Sequence, residues 1–334
     1  MKPRALFFCL GVAALALTSF IRGTAEAATV TTLRFVYDWP VPDFGMVPVA
    51  VGMQKGFYEK HGLKVEALFP PDAQTTARML ATGKADIGFE ATTDLIFAAN
   101  QGVPVISIAN FVQHNTWCLI GRPGEPLEMS ALRGKSIGIF TDSWTRVMMG
   151  FVLRKAGLSE NDVHQIIVQD DDIPLLLSKK LDVATNVASY GVAEIQDNIH
   201  KQPTLACGDA IGVPNIPVWA YTASPAWLEK NADAARAFLA ATAEATVWST
   251  QHPEEAAALF QKAYPASGSS NYAVIGWKET LSGLAGPQGY FVQDDKQWVD
   301  LAEAIKGIGQ IPEVKPAATY YSNAYIPADL PKAP

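Results

Sequence analysis

Short apolar runs with strand character alternate with helix-like stretches from residue 33 to residue 199, and this alternation constrains the chain more tightly than any other feature. Residues 33–37 read as a short buried strand, 46–61 as a helix closed by Gly62, and 64–68 as a second strand. Asp72 can cap a helix running through Thr82, 86–90 is a third strand, Thr92 or Thr93 caps 95–100, and 105–111 is a fourth strand. After Gly121-Arg122-Pro123-Gly124 the pattern restarts: strand 135–140, helix 144–156 closed by Gly157, strand 164–168, helix 173–180, strand 183–186 and helix 192–199. This is the pattern of an α/β protein with two similar lobes, each a doubly wound parallel sheet.

Residues 214–222 are extended and interrupted by proline, which suits a return strand between lobes. Beyond Pro225 only Ala-rich helices follow, over 233–250, 253–263, 272–283 and 294–307. With no strands left to join, they are expected to pack back on the first lobe. The expected division is therefore lobe 1 over 28–115 plus 223–334 and lobe 2, with the hinge strands, over 116–222. Trp248, Trp277 and Trp298 are expected in the core.

Lys2 and Arg4, the apolar run that follows them to Phe20, and Ala25-Glu26-Ala27 form the pattern of a cleavable export signal over 1–27, which places the mature chain in the periplasm. Cys9 lies inside the apolar run, without the context of a lipid anchor. No later stretch approaches the length of a membrane span. Removing Lys2, Arg4, Arg22 and Glu26 from the 26 basic and 33 acidic residues leaves 23 and 32, a formal charge of −9. So acidic a chain, lacking any basic cluster, offers no electrostatic footing for nucleic acid. Cys118 and Cys207 remain on different strands; two buried thiols are expected, with a bridge as the alternative an oxidising compartment permits.

Several chemistries lack their residues. The five histidines, His61, His114, His164, His200 and His252, have no metal-ligand spacing, and no nucleophile elbow, Walker loop or dinucleotide fingerprint is present. Asp170-Asp171-Asp172 lacks the alternating ligands of a calcium loop and reads as a solvated turn with Asp172 as helix cap. No catalytic residues, metal or cofactor are expected. An exported two-lobed α/β chain without catalytic groups reads as a binder with its ligand between the lobes.

Candidate ligand residues follow from position. Trp39 stands on a proline-stiffened turn between a strand and a helix, placed to stack on a flat ligand; a packed core aromatic is the alternative. Strand ends and helix starts supply Glu90 and Thr92, then Ser143, Trp144 and Arg146; Trp144 could form a second stacking wall and Arg146 could pair with an anion. Helix capping is the alternative for Ser143, and a surface salt bridge for Arg146. Gln113 and His114 end the fourth strand and could line the hinge.

Asp38-Trp39, Lys55-Gly56-Phe57-Tyr58 and Gly62-Leu63, then Gly83-Lys84-Ala85-Asp86-Ile87-Gly88 with Gln101-Gly102-Val103-Pro104-Val105, then Leu132 to Gly138 with Ala156-Gly157-Leu158, and finally Thr319 to Asn323 with Ile326-Pro327, span most of the chain. Together they resemble the NMT1/THI5-like substrate-binding proteins of ABC transporters. The resemblance implies a type II periplasmic-binding-protein fold, two lobes joined by a hinge around a ligand cleft, acting as a monomer with an ABC permease and its ATPase. It implies a small flat nitrogen heterocycle as ligand, a thiamine pyrimidine precursor first and riboflavin next. The family's Tyr-Trp-x-x-Glu segment corresponds to Tyr190-Gly191-Val192-Ala193-Glu194, so Tyr190 and Glu194 carry over as ring platform and amine acceptor while Gly191 replaces the Trp. Asp43 and Met46 stand where the family has Asn and His, with Asp43 a further polar contact. Two rivals follow: a binder of aromatic carboxylates or alkyl sulfonates through Arg146, and, more distantly, the pyrimidine-synthesising enzymes of the same family, which need the His replaced by Met46.

Overall fold

A computed structural model describes Met1 and residues 30–169, 171–286, 288–328 and 330. The expected export signal, Met1 apart, lies outside the described residues, as does Asp170. The strands are β1 (Thr31–Val36), β2 (Leu63–Leu68), β3 (Ile87–Ala91), β4 (Ile106–Asn110), β5 (Trp117–Gly121), β6 (Ser136–Ile139), β7 (His164–Ile167), β8 (Ala184–Val187), β9 (Thr204–Cys207) and β10 (Trp219–Ala223). The helices are α1 (Val47–Gln54), α2 (Phe57–Lys60), α3 (Gln74–Ala81), α4 (Thr92–Gln101), α5 (Ser143–Ala156), α6 (Asp172–Leu177), α7 (Ala188–Ile199), α8 (Pro225–Gln251), α9 (Pro253–Ala263), α10 (Ser270–Leu284) and α11 (Asp295–Gly307).

The first sheet has the order β2-β1-β3-β10-β4. β1 runs parallel to β2 and β3, whereas β10 is antiparallel to both its neighbours, so the sheet is mixed rather than wholly parallel. The chain reaches this slot from the other sheet, and it enters from the opposite end. Because β10 belongs here, the boundary between lobes on the returning chain falls before Trp219 rather than after residue 222. In the second lobe β8-β5-β9 is antiparallel, β6 and β7 pair in parallel, and a parallel bridge between Ile137 and Val183 joins the two parts. Each lobe surrounds its sheet with helices, as the alternation requires.

Local chemistry accounts for the departures in detail. The helix expected over 46–61 is broken because Gly56 takes φ 74°, a left-handed turn open to glycine at no steric cost, and α2 starts afresh from it. Asp172 is fully buried in α6, with burial pushing its carboxyl up to about 7, so the solvated turn expected there is not what forms. The C-terminal helices divide their attachments. α8 covers the first sheet, its Phe238 stacking on Phe35 and Tyr58 at 5.6 and 5.4 Å, and the Tyr58 hydroxyl meets Thr242 Oγ1 at 2.8 Å. α10 instead packs against both α9 and α7, so it bridges the lobes where attachment to the first alone was expected. Trp277 and Trp298 are core residues; Trp248 is half-buried, with Lys55 Nζ 3.9 Å from its ring centroid.

Cys118 and Cys207 face one another in the register of β5 and β9 and are joined as a disulfide, which replaces the expected pair of thiols. Neighbouring strands bring their Cα atoms to 4.4 Å, a juxtaposition that spacing in sequence does not reveal. The bridge closes a loop spanning 89 positions that contains most of the second lobe. Replacing both cysteines by serine is expected to cost about 2–4 kcal/mol, read as a lower midpoint in urea unfolding. An unchanged midpoint would mean the bridge does not constrain the unfolded chain.

Candidate functional site

The carboxyl ends of β1, β3, β6 and β8 converge on one gap between the lobes, the place where open α/β sheets take ligands. Each strand delivers different chemistry. β1 runs into Asp38 and Trp39, β3 ends at Ala91 just before α4 with Asp94, β6 leads to Phe140 and Asp142, and β8 leads into α7 with Ser189, Tyr190 and Glu194. The gap is a cavity of about 530 Å3, within the range of small-molecule sites.

Aromatic faces form much of its wall. Trp144 of the second lobe lies 6.5 Å from Trp219 of β10 at an interplanar angle of 27°; Trp219 continues onto Phe89 at 6.2 Å, and Phe89 onto Tyr37 at 5.0 Å. Trp39, half-buried, meets Phe140 edge-on across the gap at 6.1 Å. Tyr190 meets Tyr272 of α10 edge-on at 6.4 Å. Trp117 and Trp144 also contribute to the lining, while their indole N–H groups are buried and have no acceptor among the described residues.

Carboxylates supply the polar part of the wall. Asp43 caps the 3-10 turn Phe44–Met46 through Gly45 N at 2.8 Å and accepts from the Tyr37 hydroxyl. Asp38 Oδ2 accepts from Trp219 Nε1 at 3.1 Å, Asp94 Oδ1 from Ser143 Oγ at 2.5 Å, and Asp142 Oδ1 from Thr145 N at 2.7 Å. Burial, reinforced by Asp43 and Asp94, holds the Asp38 carboxyl well above the usual range. Burial also raises Asp142 and Glu194 and pushes Asp94 up to about 6, the hydrogen bond from Ser143 opposing it. Asp197, on the rim, accepts from Ser269 Oγ at 2.8 Å and Asn271 Nδ2 at 2.9 Å. Among the described residues that line the cavity, none is Lys, Arg or His.

The structure brings together Trp39, Asp43, Trp144, Tyr190 and Glu194 in this lining. The other residues singled out from sequence stand behind or beside it. Thr92 gives its hydroxyl to Pro217 O at 2.8 Å, and Ser143 joins Asp94 and Thr93 where α4 meets α5. Gln113 is buried beside Gly286, and His114 Nδ1 contacts Asn215 Nδ2 at 3.1 Å. Arg146 is exposed on α5 and does not line the cavity. Gly191 faces the second lobe's core, since a Cβ there would lie 2.4 Å from Ile120 Cδ1. The lining also contains Asp38, Asp94, Asp142 and Trp219, which sequence reasoning passed over. Three of them adjoin residues it did name, at the strand ends that carry the site.

A two-lobed α/β fold with a convergent, enclosed cleft is the periplasmic-binding-protein class. The solved periplasmic aliphatic sulphonate binding protein of Escherichia coli superposes with a TM-score of 0.67 at 15% identity, over 86% of this chain and 91% of that one. The family model described as NMT1/THI5 like matches residues 43–256, and the chain belongs to that family. A Haemophilus influenzae protein named for thiamine biosynthesis is 27% identical over 305 residues, 88% of this chain and 94% of its own. A 4-amino-5-hydroxymethyl-2-methylpyrimidine phosphate synthase of Saccharomyces cerevisiae is 21% identical over 239 residues, 67% of this chain and 68% of its own.

Glu90 lies fully buried beneath the cleft with neither oxygen hydrogen-bonded; burial, then Asp94 and Asp38, raise its pKa well above the usual value. A carboxyl raised on folding stabilises the protein most fully below its unfolded pKa, and that contribution is lost as pH rises through the folded value. Glu90 titrates far up, while Asp94 does so at about 6. The protein is therefore expected to melt at a lower temperature near pH 8 than near pH 6. Glu90→Gln, which keeps the shape and stays neutral, should match the parent near pH 4 to within about 1 kcal/mol and exceed it by a growing margin as pH rises toward 8. Equal pH slopes in the two proteins would show that Glu90 carries no linked proton.

Proposed function

We propose that the chain is an extracytoplasmic solute-binding protein of an ABC importer that captures a small flat nitrogen heterocycle, a thiamine pyrimidine precursor first and riboflavin next, and hands it to the permease. The observation that carries this reading is the lining itself: indole and phenol faces interleaved with carboxylates and no cationic side chain. Flat rings stack on the former, and exocyclic amines donate to the latter through charge-assisted bonds. Trp39 and Tyr190 serve as ring platforms and Glu194 and Asp43 as amine acceptors, while Trp144 closes the opposite wall. The names of the Haemophilus and yeast relatives, tied to thiamine and to its aminopyrimidine, support the same ligand class.

An anion carrier, the activity named for the structural neighbour from Escherichia coli, draws less support. Its expected counter-ion, Arg146, is exposed outside the lining, and the carboxylates would repel a sulfonate. The synthase reading fits less well still, because Met46 stands buried where the resemblance places the required His, and no His lines the cleft among the described residues.

Binding should be visible in intrinsic fluorescence, since Trp39, Trp144 and Trp219 all line the cleft. 4-Amino-5-hydroxymethyl-2-methylpyrimidine is expected to quench that emission and raise Tm, whereas taurine should do neither. Trp39→Ala and Glu194→Gln should each weaken binding about tenfold or more, at a fold confirmed by circular dichroism. A thermal shift with taurine or an aromatic carboxylate, and none with aminopyrimidines or flavins, would overturn the ligand class.

A further inference from the structure

The electrostatics of the cleft go further than the general class of ligand. Resting on the heterocycle reading above, we infer that the cargo binds as a cation and without a phosphate: an aromatic ring bearing a protonated or quaternised amine, seated between tryptophan faces and uncompensated carboxylates. Asp38, Asp94, Asp142, Glu194 and Asp197 all line the cavity, and none forms an ion pair with Lys, Arg or His among the described residues. Their hydrogen bonds come from neutral donors only: the Trp219 indole, the Ser143 hydroxyl, the Thr145 amide, the Asn198 amide, and Ser269 with Asn271.

Asp38, Asp94 and Asp142, whose carboxyls burial raises, are costly unless they are protonated or matched by positive charge. Among the described residues no such charge lies within the lining, which leaves the ligand to supply it. A cation would also meet the faces of Trp39, Trp144 and Trp219, the ring type that attracts cations best. An anionic phosphate would face several carboxylates with no lysine, arginine or histidine to receive it.

The same arrangement couples binding to protons. Asp38 and Asp43 on the turn after β1, Glu90 on β3, and Asp142 with Arg146 on α5 are the ionisable groups whose charges bear on the Asp38 and Asp94 pair; of these only Arg146 is positive, and it is exposed. With no cation present, burial favours the protonated acids. A cation arriving in the cleft favours the ionised acids, so protons leave as it enters.

Three probes on one ring separate the possibilities by calorimetry on the full chain: 4-amino-5-hydroxymethyl-2-methylpyrimidine, its phosphate ester, and the counterpart carrying a 5-aminomethyl group. Near neutral pH the aminomethyl compound is expected to bind roughly tenfold or more tighter than the hydroxymethyl compound, with the phosphate ester weakest. Binding of the aminomethyl compound near pH 6 should release protons, read from the dependence of the heat on buffer ionisation enthalpy, and Asp94→Asn should reduce that release. Equal affinity for the amine and the alcohol, or binding of the phosphate ester as tight as either, would overturn the charge assignment while leaving the heterocycle reading in place. Failure of all three probes to bind would overturn the charge assignment and, if riboflavin also fails to bind, the heterocycle reading with it.

Discussion

The pairing of β10 between β3 and β4 is the constraint on which the architecture and the site both depend. Its antiparallel hydrogen bonds bring the chain back into the first sheet after the second lobe is complete, so two strands of connection cross between the lobes. The same pairing sets Trp219 opposite Ala91, directly at the carboxyl end of β3. There its indole stacks between Phe89 and Trp144 and donates to Asp38. One strand thus closes the sheet, ties the lobes and completes an aromatic wall. A register slip of one residue would turn Trp219 to the other face and remove the aromatic wall, although the strand would stay in the sheet.

The lobes also touch away from that strand, through polar contacts and side-chain packing. Ser143 and Thr93 join the start of α5 to the start of α4 at 2.8 Å, and Asp197 of α7 accepts from Ser269 and Asn271 at the head of α10. Such hydroxyl and amide contacts are exchangeable for water at modest net cost, unlike the continuous apolar core beneath each sheet. Apolar packing crosses between the lobes as well, because buried side chains of both form one cluster and α10 packs on α7, so a hinge movement has to part more than these polar contacts.

Much of the fold was legible because strand and helix alternate with well-placed stops. Helix 253–263 has the bounds expected of it, and α5 ends at Gly157 as its position suggested. The errors have physical sources. Cys118 and Cys207 are partners only through the register of β5 with β9, a long-range pairing that local pattern does not encode. Asp172 looked solvated because it followed two other aspartates, yet its helix turns it inward. At the site, rigid turns and strand ends pointed to Trp39 and Trp144, and family likeness to Tyr190 and Glu194. Glu90 and Ser143 were placed on the right elements, but their side chains face away from the lining, toward the core or a neighbouring helix. Asp38 and Asp94 were overlooked because an acidic residue beside a strand end looks like any other until burial is known.

That burial is what gives the acidic cleft its meaning. On an open surface the same carboxylates would each be hydrated and screened, contributing little to choice of partner. Enclosed between indoles, they interact through a poorer dielectric, and their mutual repulsion shows in the raised pKa of Asp38, where Asp43 and Asp94 add to desolvation. Replacing one of them by lysine would relieve the repulsion and pair the charge internally, and it would also fill the space a ligand must occupy. Keeping the acids uncompensated leaves the empty cleft under electrostatic tension that a ligand of matching charge relieves. Stability given up in the unliganded fold then becomes selectivity in the liganded one.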